Sequence, residues 1–292
     1  MLHSASGPAG LQWRAMENPL SIAFIGGGNM ASALAFGLAD KVCPARNIHV
    51  VDINVQAHAG WLARGMTAAA APDAALSRCR VWIFAVKPQV MREVVQAARP
   101  WLEPDTLVIS VAAGLRADTL AGWLGQADLP WRRLVRCMPN TPALVGQGMT
   151  GMAALDGVSA QDRQLAETLL SAVGQVVWVE DDAALDAVTA LSGSGPAYVF
   201  LFLESLIAAG QAVGLSAEQA RQLALGTFAG ATRLAAEASE PPSVLRERVT
   251  SKGGTTAAAL QVFETADMRG MVERAVRAAA QRSHQLAEEF GK

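Results

Sequence analysis

Apolar and polar positions change rhythm once along the chain. Up to about residue 180, short apolar runs alternate with stretches of helical period. "LSIAFIG" (20–26), "NIHVVD" (47–52), "RVWIFAV" (80–86), "TLVISVAAG" (106–114), "RRLVRCM" (132–138) and "GQVVWVE" (174–180) read as strands. Each is short, rich in branched or aromatic residues, and too brief for a buried helix. "MASALAFGLAD", a segment from about Val55 to Arg64, and "MREVVQAAR" read as helices between them. Alternation of this kind predicts a parallel sheet with helices on both faces. Past Glu180 no strand pattern remains. Residues 183–290 read as helices, broken near Gly193–Pro196, Gly214–Ser216, Glu240–Ser243 and Gly253–Gly254. The pattern therefore predicts an α/β domain over 19–181 and an all-α domain over 182–292, after a flexible tail over 1–18.

One helical stretch stands apart. In "YVFLFLESLIAAGQAVGL" (198–215) apolar residues run almost all the way round, interrupted by Glu204 and Gln211. Such a helix is expected inside a protein or between subunits rather than across a membrane. Composition points the same way. Charged residues make up 17% of the 292, against roughly 25% in an ordinary soluble chain, so part of the surface is expected to be covered in an oligomer. The net charge of −2 offers no basic field for nucleic acid or an anionic membrane. Cys43, Cys79 and Cys137 are far apart and lack metal-ligand spacing. They suit a reducing compartment, and the cytoplasm is the expected location. The N-terminal segment has no apolar core of a secretory signal, and Met16 is a candidate start.

The first strand runs straight into "GGGNMA". Gly26, Gly28 and Ala31 spell G-x-G-x-x-A between a buried strand and a helix. In that position the motif points to a dinucleotide and to a Rossmann-type domain. Gly26 would make the tight turn, Gly28 would admit a pyrophosphate, and Ala31 would let the helix pack on the strand. Gly27, Asn29 and Met30 complete the loop. Asp52 ends the second strand, 21 residues past Ala31. A carboxylate there suits a ribose 2′-hydroxyl, which leans toward NADH, whereas the nearby Asn54 could bond a phosphate. NADPH and NADH both stay open.

The chemistry narrows by what is missing. Hydride transfer to a carbonyl generally needs a placed acid. His3, His49, His58 and His284 are poorly placed for it, lying in the tail, a strand, an outer helix and the C-terminal stretch. No lysine lies between Lys87 and Lys252. The β-hydroxyacid dehydrogenases, which share the two-domain layout, carry a catalytic lysine on the helix entering the second domain; here that region is "ALSGSGPAYVFLFLE". A protonated C=N bond accepts hydride with less help. "SKGGTT" (251–256) offers hydroxyls and glycines at the mouth of a helix. It reads either as a turn with threonine capping or as a cradle for a small anion.

These segments together carry a family resemblance. "FIGGGNMA", "FAVKPQ" (84–89), "SVAAG" (110–114), "RCMPNTPALVGQGMT" (136–150), "DAVTALSGSGPAYVF" (186–200) and "LRERVTSKGGTTAAALQVFE" (245–264) occur in order. The chain resembles the pyrroline-5-carboxylate reductases from about Leu20 to the final helix. The resemblance implies reduction of L-1-pyrroline-5-carboxylate to L-proline, the last step of proline biosynthesis. It implies that Gly26 to Ala31, with Ala85, Val86, Lys87, Pro88, Ala112 and Ala113, line the cofactor. It implies that Ser251, Gly254, Thr255 and Thr256 cradle the substrate, with the Thr256 hydroxyl facing the ring nitrogen as the catalytic group. Asp182 falls where the family often has a glutamate near substrate. Lys252 stands where many relatives have proline. The resemblance further implies a homodimer through C-terminal helices, with rings of dimers among relatives. Two other functions stay open at this point: a reductase of another cyclic imino acid, and a dinucleotide-binding regulator without turnover.

Overall fold

The computed structural model describes residues 20–126 and 128–291. The expected tail over 1–18, with Met16 and His3, lies outside the described residues. The sheet-bearing part runs β1 (Ile22–Ile25), α1 (Asn29–Leu38), β2 (Ile48–Val51), α2 (Val55–Leu62), β3 (Thr67–Ala69), β4 (Val81–Phe84), α3 (Pro88–Ala98), β5 (Leu107–Ser110), α4 (Ala117–Leu124), β6 (Leu134–Met138), β7 (Gly148–Ala154), α5 (Ala160–Ser171) and β8 (Gly174–Trp178). The strands form one eight-stranded sheet in the order β3-β2-β1-β4-β5-β6-β7-β8. β1, β2, β4 and β5 are buried at every position. Their continuous apolar runs are those of strands covered on both faces.

The sheet departs from the expected all-parallel arrangement. β7 pairs antiparallel with β6 and parallel with β8. The hydrogen-bonded turn of Thr141–Val145 lets the chain reverse directly, where a parallel partner would need a long crossover. β3 and β7 were also not foreseen. The first-half order, with β1 and β4 adjacent, sets a switch point where ligands of open α/β sheets bind. Two apolar layers pack on the two faces, one around Leu34, Ile48 and Ile83, the other around Trp82, Phe84 and Met91.

The helical part follows as α6 (Ala184–Val188), a π-helical turn (Thr189–Gly193), α7 (Gly195–Ala212), α8 (Ala217–Glu237), α9 (Pro242–Arg248), α10 (Thr255–Thr265) and α11 (Met268–Phe290). Contacts divide the chain into two compact units. One reaches Val188 and takes up the chain again from Ser283, and the other spans Thr189–Arg282. The boundary expected near Asp181 lies ahead of that division. Ser216 opens α8 with a capping box, its hydroxyl accepting the Gln219 amide while the Gln219 side chain accepts the Ser216 amide.

No residue of α7, α9 or α10 is buried within the single chain. Phe200, Leu201 and Val262 are 58%, 65% and 68% exposed. The helix expected to be buried inside the protein or between subunits is thus not covered within one chain. By length and composition alone the run Ala184–Ala212 is long and apolar enough to cross a membrane, although it carries Asp186 and Glu204.

Candidate active site

The strand register builds one edge of the site. Ile25 pairs with Val51 and with Phe84, Phe84 with Ser110, and Ser110 with Arg136. The loops leaving β1, β2, β4 and β5 therefore emerge side by side. Backbone bonds continue the ladder past the strand ends: Gly26 N–H donates to Val51 O (2.8 Å), Ala85 N–H to Ile25 O (2.8 Å) and Val111 N–H to Phe84 O (3.0 Å).

The glycine loop has distinct reasons at each position. Gly26 is buried at φ +103°, and a Cβ there would lie 2.7 Å from Val86 Cγ1 and 2.8 Å from the Ala85 carbonyl. Only glycine fits both the dihedral and the space. Gly28 is the opposite case: it is exposed, and a Cβ on it would meet nothing within 4 Å. Gly28 is also the N-cap of α1, with no side chain capping the first turn. Free amides at that helix start, beside an open approach, suit an anion. Ala31 is fully buried, as a close helix-to-strand contact requires. Asn29 is exposed and Met30 half-buried.

Asp52 directly follows β2, with both carboxylate oxygens engaged. Oδ2 accepts the Gly27 amide and Oδ1 accepts the Asn54 amide at 2.7 Å. The ring of His58 donates from Nε2 to the Asp52 carbonyl at 2.7 Å. The residue thus holds the glycine loop and the start of α2 together, with lone pairs left for a ribose. Lys87 caps α3 in extended geometry and is exposed; Pro88 occupies the first helical turn, and Ala85 and Val86 are half-buried. Ala112 is buried and Ala113 half-buried in the loop after β5. A dinucleotide fits these residues: glycines close the loop where backbone crowds it and leave it open where a pyrophosphate would approach.

Asp182 has partners that sequence reasoning missed. Its Oδ1 accepts from Arg136 Nη1 at 2.9 Å, its Oδ2 accepts the Ala117 amide at 3.3 Å, and Arg116 Nη1 lies 3.7 Å away. Arg136 is buried within β6. Truncating Asp182 would leave that guanidinium uncompensated. Asp182 therefore braces the start of α4 and belongs to the first unit, whereas residues 251–256 belong to the second. The sequence signal was Arg136 inside the otherwise apolar strand "LVRCM".

In the second unit α10 opens on Gly254, and no side chain caps it. The threonine-capping alternative is not the geometry adopted. Gly253 turns the chain at φ +73°, and the Gly254 amide donates to Ser251 O at 3.0 Å. A Cβ at Gly254 would fall 2.6 Å from Ser251 Oγ and 3.2 Å from Ser251 O, so a side chain there would displace the serine hydroxyl from the helix start. Ser251, Lys252 and Thr255 are exposed, and Thr256 is half-buried. The first-turn amides of α10 lack helical acceptors, as in any helix start.

Known proteins resemble the chain over nearly its whole length. A family model described as "Pyrroline-5-carboxylate reductase dimerisation" matches residues 182–286, and one described as "NADP oxidoreductase coenzyme F420-dependent" matches 21–114. A pyrroline-5-carboxylate reductase of Pseudomonas aeruginosa is 45% identical, over 92% of this chain and 98% of its own. The solved pyrroline-5-carboxylate reductase of Coxiella burnetii is similar in structure, with TM-score 0.85 and 36% identity over 92% of this chain and 99% of its own. The Plasmodium falciparum pyrroline carboxylate reductase, solved with NADP bound, has TM-score 0.81 and 30% identity over 94% of this chain and 100% of its own.

Proposed function

The chain belongs to the pyrroline-5-carboxylate reductase family, and from that premise we propose how its own residues divide the work. The reaction is reduction of L-1-pyrroline-5-carboxylate to L-proline, an oxidoreductase step on a C=N bond in proline biosynthesis. The protein is a homo-oligomer with a small-molecule substrate. When bound, the reduced nicotinamide cofactor supplies the hydride.

The first unit holds the cofactor. Gly26 to Ala31 receive the pyrophosphate, with the Gly28 opening and the uncapped start of α1 as the anion site. Asp52 and Asn54 meet the adenosine ribose and decide between NADPH and NADH. Ala85 to Pro88 lie along the cofactor, and Ala112 and Ala113 lie at its nicotinamide end. Small side chains suit that loop, since a larger one would crowd a planar ring.

The second unit holds the substrate. The observation that carries this is the bare helix start at Gly254, which leaves backbone amides for a carboxylate. Ser251, Gly254 and Thr255 surround the carboxylate. The Thr256 hydroxyl orients the ring nitrogen, which is protonated before reduction and needs no strong acid beside it. Catalysis then rests on placement rather than on a titrating group. Asp182 serves the substrate only through the frame it braces. Lys252 faces solvent.

The exposed apolar residues of α7 and α10 support a dimer built through the second unit. The low share of charged residues supports wider contact, as in a ring of dimers. A cytoplasmic setting, without nucleic-acid or membrane partners, agrees with the net charge of −2. Binding of L-proline tests the cradle. Ser251→Ala with Thr256→Val should abolish proline binding in calorimetry while NADPH binding persists. Equal proline affinity in the double variant would refute this assignment.

A further inference from the structure

The loop that ends in Gly114 is gripped from two sides by residues far away in sequence. Gly114 has φ +68°, and a Cβ on it would fall 2.9 Å from Leu286 Cβ, with Phe290 at 3.6 Å. The last turns of α11 therefore press directly on the backbone of this loop. Arg116, two residues on, is the N-cap of α4. Its Nη2 donates to Asp186 Oδ2 at 2.6 Å and to His284 Nδ1 at 3.0 Å, and its Nη1 donates to the Asp182 carbonyl at 3.1 Å. Ser283 completes the set: its buried hydroxyl donates to Asp186 Oδ1 at 2.7 Å. Asp186 is thus a bridge with one oxygen on the loop's arginine and the other on the terminal helix.

We propose that Ser283, Asp186 and Arg116 form a latch by which the end of α11 sets the position of the Ala112–Gly114 loop, and that these three are positioning residues for hydride transfer. This rests on the reading that the loop lies at the nicotinamide end of the cofactor. The physical case is that small errors in placement are costly where catalysis depends on approach geometry. A loop of alanines and glycine has no side chains with which to fix itself. Beyond the Ala112 amide on Ser110 Oγ at 3.4 Å, its rigidity comes from what packs over it, and the charge-assisted bonds at Asp186 are strong contacts within reach. A purely stabilising role would make the same contacts, so the test must separate the two.

The test compares Ser283→Ala with Ser283→Thr, which keeps the hydroxyl. Three readouts are taken: melting temperature, calorimetric binding of NADPH against 2′-phospho-ADP-ribose, which lacks nicotinamide, and kcat against KM for pyrroline-5-carboxylate. For Ser283→Ala the latch predicts unchanged binding of the fragment, weaker NADPH relative to it, and kcat lower by roughly tenfold at near-constant KM. Ser283→Thr should restore kcat. Arg116→Lys, which keeps charge but loses the fork, should resemble Ser283→Ala. If Ser283→Ala lowers only the melting temperature, or weakens fragment and NADPH alike, the latch is refuted. A control variant, Ala113→Leu, tests the underlying reading. Should it turn over normally, the loop is not at the nicotinamide and both claims fall; should it block turnover while Ser283→Ala does nothing, only the latch falls.

Discussion

The carboxylate of Asp52 accepts the backbone amide of Gly27, so the residue we propose to read the ribose also holds the loop we propose to receive the pyrophosphate. A second oxygen on Asn54 N–H extends the brace to the start of α2. In that proposal cofactor choice and loop order are coupled at one side chain. Asp52→Ser should raise KM for both cofactors, and more so for NADH, because the charge that suits a free 2′-hydroxyl is lost. Loss of a bond to a charged acceptor is worth about 1.5–3 kcal/mol, so changes of ten- to a hundredfold are expected. A ratio of kcat/KM for NADPH and NADH that does not move would show that Asp52 serves the loop alone.

Gly26→Ala should fold poorly and fail to bind either cofactor. The backbone at φ +103° and the Cβ contact of 2.7 Å with Val86 act together, and each such strain costs on the order of 1–3 kcal/mol. Thermal unfolding with and without NADPH measures both effects. A stable variant with normal binding would contradict the account of this loop.

These glycines show what could be read in advance. β1 and β4 were legible because both are unbroken apolar runs bounded by turns. β3 is only Thr67–Ala69, too short to set a period, and β7, "GMTGMAA", has one β-branched residue. The antiparallel turn between β6 and β7 followed from tertiary pairing that no local pattern encodes. In the site, the G-x-G-x-x-A loop and the glycines at 253–254 announce themselves, since backbone needs constrain residue type. The Arg116–Asp186 and Ser283–Asp186 bonds do not. They join residues 70 and 97 positions apart, and a lone arginine or serine in a helix carries no signature of its partner.

Thr256→Val should keep the melting temperature and lower kcat/KM on the imine ten- to a hundredfold, from roughly 1.5–3 kcal/mol per bond to a charged group. The stability half of this follows from α10 opening on Gly254 without a side-chain cap. A fall in stability with unchanged turnover would return Thr256 to a purely structural part.

The pH dependence of stability should carry a contribution from His49. Burial holds its imidazole below the ordinary 6.5, with Asp73 pulling upward and Arg78 pushing down. Its Nδ1 lies 2.8 Å from Thr67 Oγ1, and burial favours the neutral ring. The unfolded chain takes up this proton at about 6.5 and the folded chain only at lower pH. The neutral ring therefore supports the fold above 6.5, and stability is lost as pH falls below that value toward the folded pKa. His49→Gln should flatten this part of a plot of Tm against pH. An identical slope in the variant would assign the acid sensitivity elsewhere.

The thiols should stay silent in the folded protein. Burial raises Cys43 and Cys79 to about 11 and pushes Cys137 up further. Reaction with a thiol reagent at neutral pH should wait for denaturant. Rapid labelling of folded protein would contradict this.

The central claim is tested most directly by adding L-1-pyrroline-5-carboxylate and NADPH or NADH to the purified full-length protein and following cofactor oxidation together with proline formation. The account predicts that one proline appears for each reduced cofactor consumed, with the five-membered imine reduced faster than its six-membered homologue. Cofactor binding without turnover, or a preference for the six-membered ring, would contradict it.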